Sequence, residues 1–130
     1  MTIQDEIVLA LTLWRENRGG GPIGMQSVAN VILNRASLHG QSIYMVCTSH
    51  AQFSSISMPG PESYLWPKEN DTQWAQALSI ASDAASGTLQ DITQGATSYY
   101  APAGMPGGVP PSWASAMKQT VTIAGQIFFK

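Results

Sequence analysis

The sequence predicts an α+β fold, a mainly helical body with a small antiparallel β-sheet built from the C-terminal third. Through about residue 86 the apolar residues recur at helical spacing, in segments that stop on glycine. Beyond residue 96 the pattern turns β-prone and ends in two short apolar runs on either side of Ala124-Gly125. No repeat or linker divides the chain. Its 130 residues suffice for one domain, residues 1–130, with a core that needs no staples.

Each element has its own signal. Thr2 is an N-cap with Asp5 at the third helical position, a variant of the capping box, and Asp5 and Glu6 suit the positive end of the dipole. The first helix therefore runs from Ile3 to Asn17. Ile3, Ile7, Ala10, Leu11 and Trp14 share one face as the expected buried stripe, and Glu16 projects about 160° away from it at the helix end. Gly19, Gly20, Gly21 and Pro22 end that helix. The second, Ile23 to Leu38, is apolar round most of its circumference and is expected to be the central buried helix, with a stop at His39-Gly40. Asn34 is placed to cap it, and Arg35 in its last turn meets the dipole or a carboxylate.

A short helix, Ile43 to Thr48, leads into Ser49–Ser55. From Ser57 to Asp71, Pro59, Gly60, Pro61 and Pro67 predict a long loop anchored by Tyr64 and Trp66. A third long helix, Asp71 to Ser86, sets Trp74, Ala77, Leu78, Ala81 and Ala85 on one face and ends at Gly87. Ala96–Pro102 reads as a strand, and Gln119–Lys130 as a hairpin turning at Ala124-Gly125. Between them, the glycine- and proline-rich stretch from Ala103 to Pro111 suits a groove wall beside Tyr99.

Composition excludes several functions. Only 11% of residues are charged, against about 25% in ordinary soluble domains. Six basic residues and a net charge of −2 do not fit a nucleic-acid partner, which needs clustered Lys and Arg. Such a surface suits a neutral or zwitterionic ligand such as a glycan, and equally a bland soluble protein. Cys47, the sole cysteine, allows no internal disulfide and reads as a buried structural thiol. His39 and His50 lack the spacing of a helical zinc pair, so no metal and no cofactor is expected. The first residues show no basic region followed by an apolar run, and no segment reaches about 18 consecutive apolar residues. Neither a secretory signal nor membrane insertion is expected.

Position alone leaves Glu16 either on a solvated surface or at the lip of a cleft. The order of four blocks decides between these. Trp14-Arg15-Glu16-Asn17-Arg18-Gly19, Val28-Ala29-Asn30-Val31-Ile32-Leu33-Asn34-Arg35, Gln52-Phe53-Ser54 and Ala96-Thr97-Ser98-Tyr99-Tyr100-Ala101-Pro102 together resemble the cell-wall hydrolases typified by spore cortex-lytic enzymes, the SleB-type family. The resemblance spans nearly the whole chain, including the closing Val121-Thr122-Ile123 and Phe128-Phe129 strands. It implies a lysozyme-like fold and a catalytic glutamate at Glu16. The chain departs from the family pattern at Arg15, where a small residue is usual, at Asn17 in place of alanine, at Gly20 in place of a second glutamate, and at Ala101 in place of asparagine. Arg15 is then a solvated charge or an anion contact, and Asn17 is free to add a hydrogen bond near the acid. Arg18 is matched and is expected to pair with a buried acceptor.

The chemistry follows. A glycosidic oxygen leaves poorly unless a carboxylic acid protonates it, and that acid must hold its proton near neutral pH. A cleft rimmed by Trp14, Phe53 and Tyr99 would favour this by desolvation. A two-carboxylate glycosidase needs a partner about 5 to 9.5 Å away, yet the other acids, Asp5, Glu6, Glu62, Glu69, Asp71, Asp83 and Asp91, fall in no motif. One acid suffices for a lytic transglycosylase, in which the muramic acid's own 6-hydroxyl attacks C1 and leaves a 1,6-anhydro sugar. The resemblance implies this reaction on the MurNAc–GlcNAc β-1,4 bond.

Around Glu16 the expected substrate-binding residues are Gln52, Phe53, Ser54, Thr97, Tyr99 and Tyr100, with Tyr99 favoured over Tyr100 for the cleft because neighbours in a strand point to opposite sides. Trp66, Trp74 and Trp113 are read as packing residues. The expected partner is peptidoglycan, and the expected state a monomer. A phage lysis enzyme, confined to the host cytoplasm until the membrane is perforated, fits these features. The alternatives are a catalytically silent glycan-binding or virion module, a true hydrolase with a second acid, or a catalytic fragment of a longer protein.

Overall fold

The computed structural model describes residues 1–49, 53–57 and 60–130. Helix α1, Ile3–Asn17, starts on a complete capping box: the Asp5 N–H donates to Thr2 Oγ1 at 3.0 Å, and the Thr2 N–H donates to Asp5 Oδ2 at 2.9 Å. A single 3₁₀ turn, Arg18–Gly20, separates it from α2, Gly21–His39. The glycine block is thus a tight corner, and Pro22 falls in the first turn of α2, where its missing N–H costs nothing. Gly40, at φ 61°, closes α2 in the left-handed conformation. Then come α3, Ile43–Thr48, capped by Ser42, and the single turn α4, Ser54–Ser57. A 3₁₀ turn at Glu62–Tyr64 precedes α5, Thr72–Ser86, whose N-cap Asp71 accepts from the N–H groups of Gln73 and Trp74.

The buried surface of α1 is wider than the expected stripe, of which Ala10 and Trp14 are buried and Leu11 packs against the core, while its first two members lie outside. Ile3 is 77% and Ile7 54% exposed, whereas Asp5, Leu9, Thr12 and Leu13 are buried. At 100° per residue those four fall within an arc of about 100°, and Glu16 lies inside the same arc. Glu16 therefore continues the buried face instead of opposing it. The large apolar residues misled because the core side is partly polar, its polar groups satisfied by hydrogen bonds. Asp5 Oδ1 accepts from the Tyr44 N–H at 2.8 Å, and Thr12 donates to the Val8 carbonyl at 2.7 Å. Farther along, Thr12, Leu13, Trp14 and Arg15 are all buried, since α2, α3, α4 and α5 all pack on this helix. The central position expected of α2 is thus shared with α1. On α5 the buried residues are Ala77, Ile80 and Ala81, while Leu78 and Ala85 face outward.

The sheet comprises β1 (Ser98–Tyr100), β2 (Gln119–Ile123) and β3 (Gln126–Phe129), antiparallel in the order β1-β3-β2. Ala124 at φ 50° and Gly125 at φ 77° make the left-handed pair that a two-residue hairpin requires. Tyr99 lies opposite Phe128, which packs with Val31 and Ala96 between sheet and α2. Asn34 does not cap α2. Its amide donates to Asp91 Oδ2 and to the Ala96 carbonyl, so α2 holds the segment that leads into β1. Gly24 leaves room for the Asn17 side chain, whose Nδ2 a Cβ there would meet at 2.9 Å. Residues 103–111 form 3₁₀ turns, Pro102–Gly104 and Pro106–Gly108.

Candidate active site

Because Glu16 continues the stripe of Leu9 and Leu13, its half-buried carboxylate emerges where the core ends. There it meets Ser55, in α4. The Ser55 N–H and Oγ–H both donate to Glu16 Oε1, at 3.3 and 2.8 Å. Sequence reasoning missed Ser55, which adjoins the Gln52-Phe53-Ser54 block without any signal of its own.

Arginines frame this end of α1. Arg15 is not solvated: it is 7% exposed, donates from Nη1 to the Ser55 carbonyl at 3.0 Å and from Nε to the Leu65 carbonyl at 3.1 Å, and lies 4.7 Å from the Trp66 ring centre. Arg18 donates to the carbonyl of buried Trp14 at 3.0 Å and pairs with the half-exposed Glu62 at 2.7 Å, lying over the Trp14 ring. Trp14 sits in the core on the opposite side of α1 from Glu16, with its indole N–H donating to Asp71, and does not rim the acid. Asn17 donates to Gln126 Oε1 at 3.2 Å, tying the helix end to the hairpin.

A groove of about 840 Å³ opens between the end of α2, α3 and the start of β1, lined among others by Arg35, His39, Ser49, Thr97, Tyr99, Trp113 and Met117. Glu16 is not part of this described lining. Tyr99 links the two, since burial first and the negative charge of Glu16 second push its phenol pKa upward, with Arg35 opposing. The phenol, protonated at neutral pH like an ordinary tyrosine, is within electrostatic reach of the acid. Arg35 lies on the Phe53 ring, and its Nε–H donates to the Thr97 carbonyl. Burial pushes the Cys47 thiol up to about 11, with a hydrogen bond involving Thr12 opposing, so it stays a thiol in the core.

Of the residues singled out from sequence, Thr97 and Tyr99 share the groove. Tyr100 is on the other face of β1, stacked on Phe129 with Trp113 edge-on. Phe53 is 2% exposed, so its ring faces the core. Gln52, His50 and the side chain of Ser54 lie outside the described residues. The groove wall beside Tyr99 is Trp113 with Met117, and residues 103–111 stand outside it. Trp66, read as a packing residue, is 70% exposed above Arg15. Among the described residues no three His, Cys, Asp or Glu side chains gather as a metal set would.

The profile of the cell wall hydrolase family matches residues 19–129. The chain belongs to the cell wall hydrolase family. Its fold is that of the SleB catalytic domain. The catalytic domain of the germination-specific lytic transglycosylase SleB from Bacillus anthracis is 26% identical with a TM-score of 0.76, covering 100% of this chain and 97% of that one. The catalytic domain of the Bacillus cereus SleB protein is 27% identical with a TM-score of 0.74, covering 100% and 92%. No significant match was found among curated proteins. In this cell wall hydrolase, Glu16 stands just before the stretch that the family profile matches, whereas the structural likeness includes it.

Proposed function

We propose that this cell wall hydrolase cleaves peptidoglycan glycan strands as a lytic transglycosylase, with Glu16 acting first as acid and then as base. The observation that carries the reading is the Glu16 carboxylate itself, at the end of the core stripe, held through one oxygen by Ser55 and within electrostatic reach of Tyr99. The solved structures it resembles include a lytic transglycosylase.

Five of the other seven acids fit a single-acid route. Asp5, Glu62, Asp71 and Asp91 are engaged in structural hydrogen bonds with Thr2, Arg18, Trp14 and Thr93 respectively. Glu6 is ten positions from Glu16 along α1, about 15 Å of helix rise and beyond the span of a glycosidase pair. With Oε1 held by Ser55, Oε2 is left to meet the sugar. Protonated Glu16 gives its proton to the leaving glycosidic oxygen. The resulting carboxylate then takes the proton of the muramyl 6-hydroxyl as that oxygen bonds to C1, which closes the anhydro ring and returns the acid to its starting state. In this reading Thr97 and Tyr99, which line the groove, hold the glycan there.

Mass spectrometry of digested peptidoglycan tests the proposal. Anhydro-muramyl ends are the expected product. Reducing ends would make the protein a hydrolase, and intact strands would make it a silent binding module. The setting we propose is phage-mediated host lysis. No helix among the described residues is long and apolar enough to cross a membrane. Cells expressing the chain should grow normally, then lyse on addition of a permeabilising agent in a Glu16-dependent way. Spontaneous lysis would reject this setting.

A further inference from the structure

The carboxylate of Glu16 is held by a segment with little capacity to hold itself. Helix α4 is four residues long, Ser54–Ser57, far below the length at which a helix is stable on its own. Arg15 fixes it from the neighbouring position on α1. Its Nη1–H donates to the Ser55 carbonyl at 3.0 Å in a fully buried bond, while Nε–H reaches the Leu65 carbonyl at 3.1 Å. One planar fork thus joins the end of α1 to α4 and to the segment at Leu65, a geometry that a lysine ammonium cannot reproduce.

Arg15 is 7% exposed, and Trp66, itself 70% exposed, covers it at 4.7 Å. Burying a guanidinium is costly, and Nη2 makes no hydrogen bond among the described residues. Filling this space alone would be done better by an apolar side chain, so the two carbonyls that Arg15 does bind are what distinguish it.

We propose that Arg15 is a positioning residue for Glu16: by holding the Ser55 carbonyl it sets the Ser55 N–H and Oγ–H that orient the carboxylate. This rests on the reading of Glu16 as acid and base. The test compares Arg15→Met, Arg15→Lys, Ser55→Ala, the double variant Arg15→Met with Ser55→Ala, and Glu16→Gln on soluble glycan strands, with circular dichroism and thermal midpoints alongside. Misplacing the acid should lower kcat of Arg15→Met by about 10- to 100-fold with KM within about twofold of wild type. Arg15→Lys should not restore it. The losses of Arg15→Met and Ser55→Ala should fail to multiply in the double variant, because both act on one contact.

A wild-type kcat in Arg15→Met, a loss confined to KM, or losses that multiply would overturn the proposal. If Arg15→Met does not fold, Arg15→Lys replaces it in the cycle, and a wild-type kcat there overturns the proposal equally. Activity in Glu16→Gln would instead overturn the reading of the acid. An inactive Glu16→Gln beside a fully active Arg15→Met would overturn the role of Arg15 alone.

Discussion

Ser55 donates both its backbone N–H and its hydroxyl to one oxygen of Glu16, joining residues 39 positions apart in the chain. A glutamine at position 16 keeps a carbonyl that can accept from Ser55, but it has no proton to give a leaving oxygen. Glu16→Gln should therefore lower peptidoglycan cleavage by about 100- to 10,000-fold, the usual worth of a general acid. Its thermal midpoint should stay within a few degrees of wild type, since the fold keeps its contact. Turbidity clearing of purified cell walls beside a thermal melt checks both, and near wild-type clearing would remove Glu16 from the chemistry.

The two neighbouring tyrosines should separate cleanly. Tyr99 lines the groove and feels the charge of Glu16, whereas Tyr100 is packed between Phe129 and Trp113 on the opposite face. Tyr99→Phe should cost about tenfold in rate, the worth of one hydrogen bond of about 1.4 kcal/mol. Tyr100→Phe should change the rate by less than about twofold, because its ring contacts survive. Initial rates on one glycan preparation decide this, and equal losses would mean that substrate reaches both faces of β1.

The groove can be mapped without turnover. Titrating a chitooligosaccharide should move the backbone amide signals of Thr97, Tyr99 and Trp113, which share its lining, and leave residues 103–107 still. Shifts confined to 60–70 would place the glycan on the far side of the Glu16 end, against Tyr64 and Trp66.

The elements were legible because their punctuation is local. Thr2 with Asp5, Gly40, Asp71, Gly87 and the Ala124-Gly125 turn each act on backbone within a few residues of themselves, so the limits of α1, α2, α3, α5 and the three strands fall within two residues of expectation. The burial of α1 was not legible, because it depends on what the rest of the chain brings to it. Asp5 and Thr12 are polar yet face inward, Asp5 meeting the Tyr44 N–H of α3 and Thr12 the Val8 carbonyl, while Ile3 and Ile7 stay outside. The same holds at the site. Glu16 and the Thr97-Tyr99 pair stand within recognisable blocks, but the contacts of Arg15 with Ser55 and Leu65 span 40 and 50 positions and leave no periodic trace.

Phe128 ties the sheet to the body and should be the costliest single truncation. It is fully buried, packs with Val31 and Ala96, and stacks on Tyr99 at 5.4 Å. Phe128→Ala should lose about 3–5 kcal/mol by urea unfolding. Activity should fall further than the unfolded fraction explains, because Tyr99 loses its support. A loss below about 1 kcal/mol would mean that the sheet adds little to the stability of the helices.

The acid limb of stability should trace in part to Asp5. Its carboxylate accepts first from the Thr2 N–H and also from the Tyr44 N–H and the Thr2 hydroxyl, which together outweigh burial and hold its pKa below the ordinary carboxylate value of about 3.9. The folded chain therefore binds this proton less readily than the unfolded chain. The stabilisation is fully present above about pH 4 and is lost as pH falls through the depressed folded value. Asp5→Asn keeps the size of the side chain but not the charge, so it should be less stable than wild type at neutral pH by about 1–2 kcal/mol. Urea midpoints measured at pH 7, 4 and 2.5 should show the two proteins converging as acid protonates Asp5 in the wild type. An undiminished gap at the lowest pH would place the contribution in side-chain shape, and the charged capping box would not be its source.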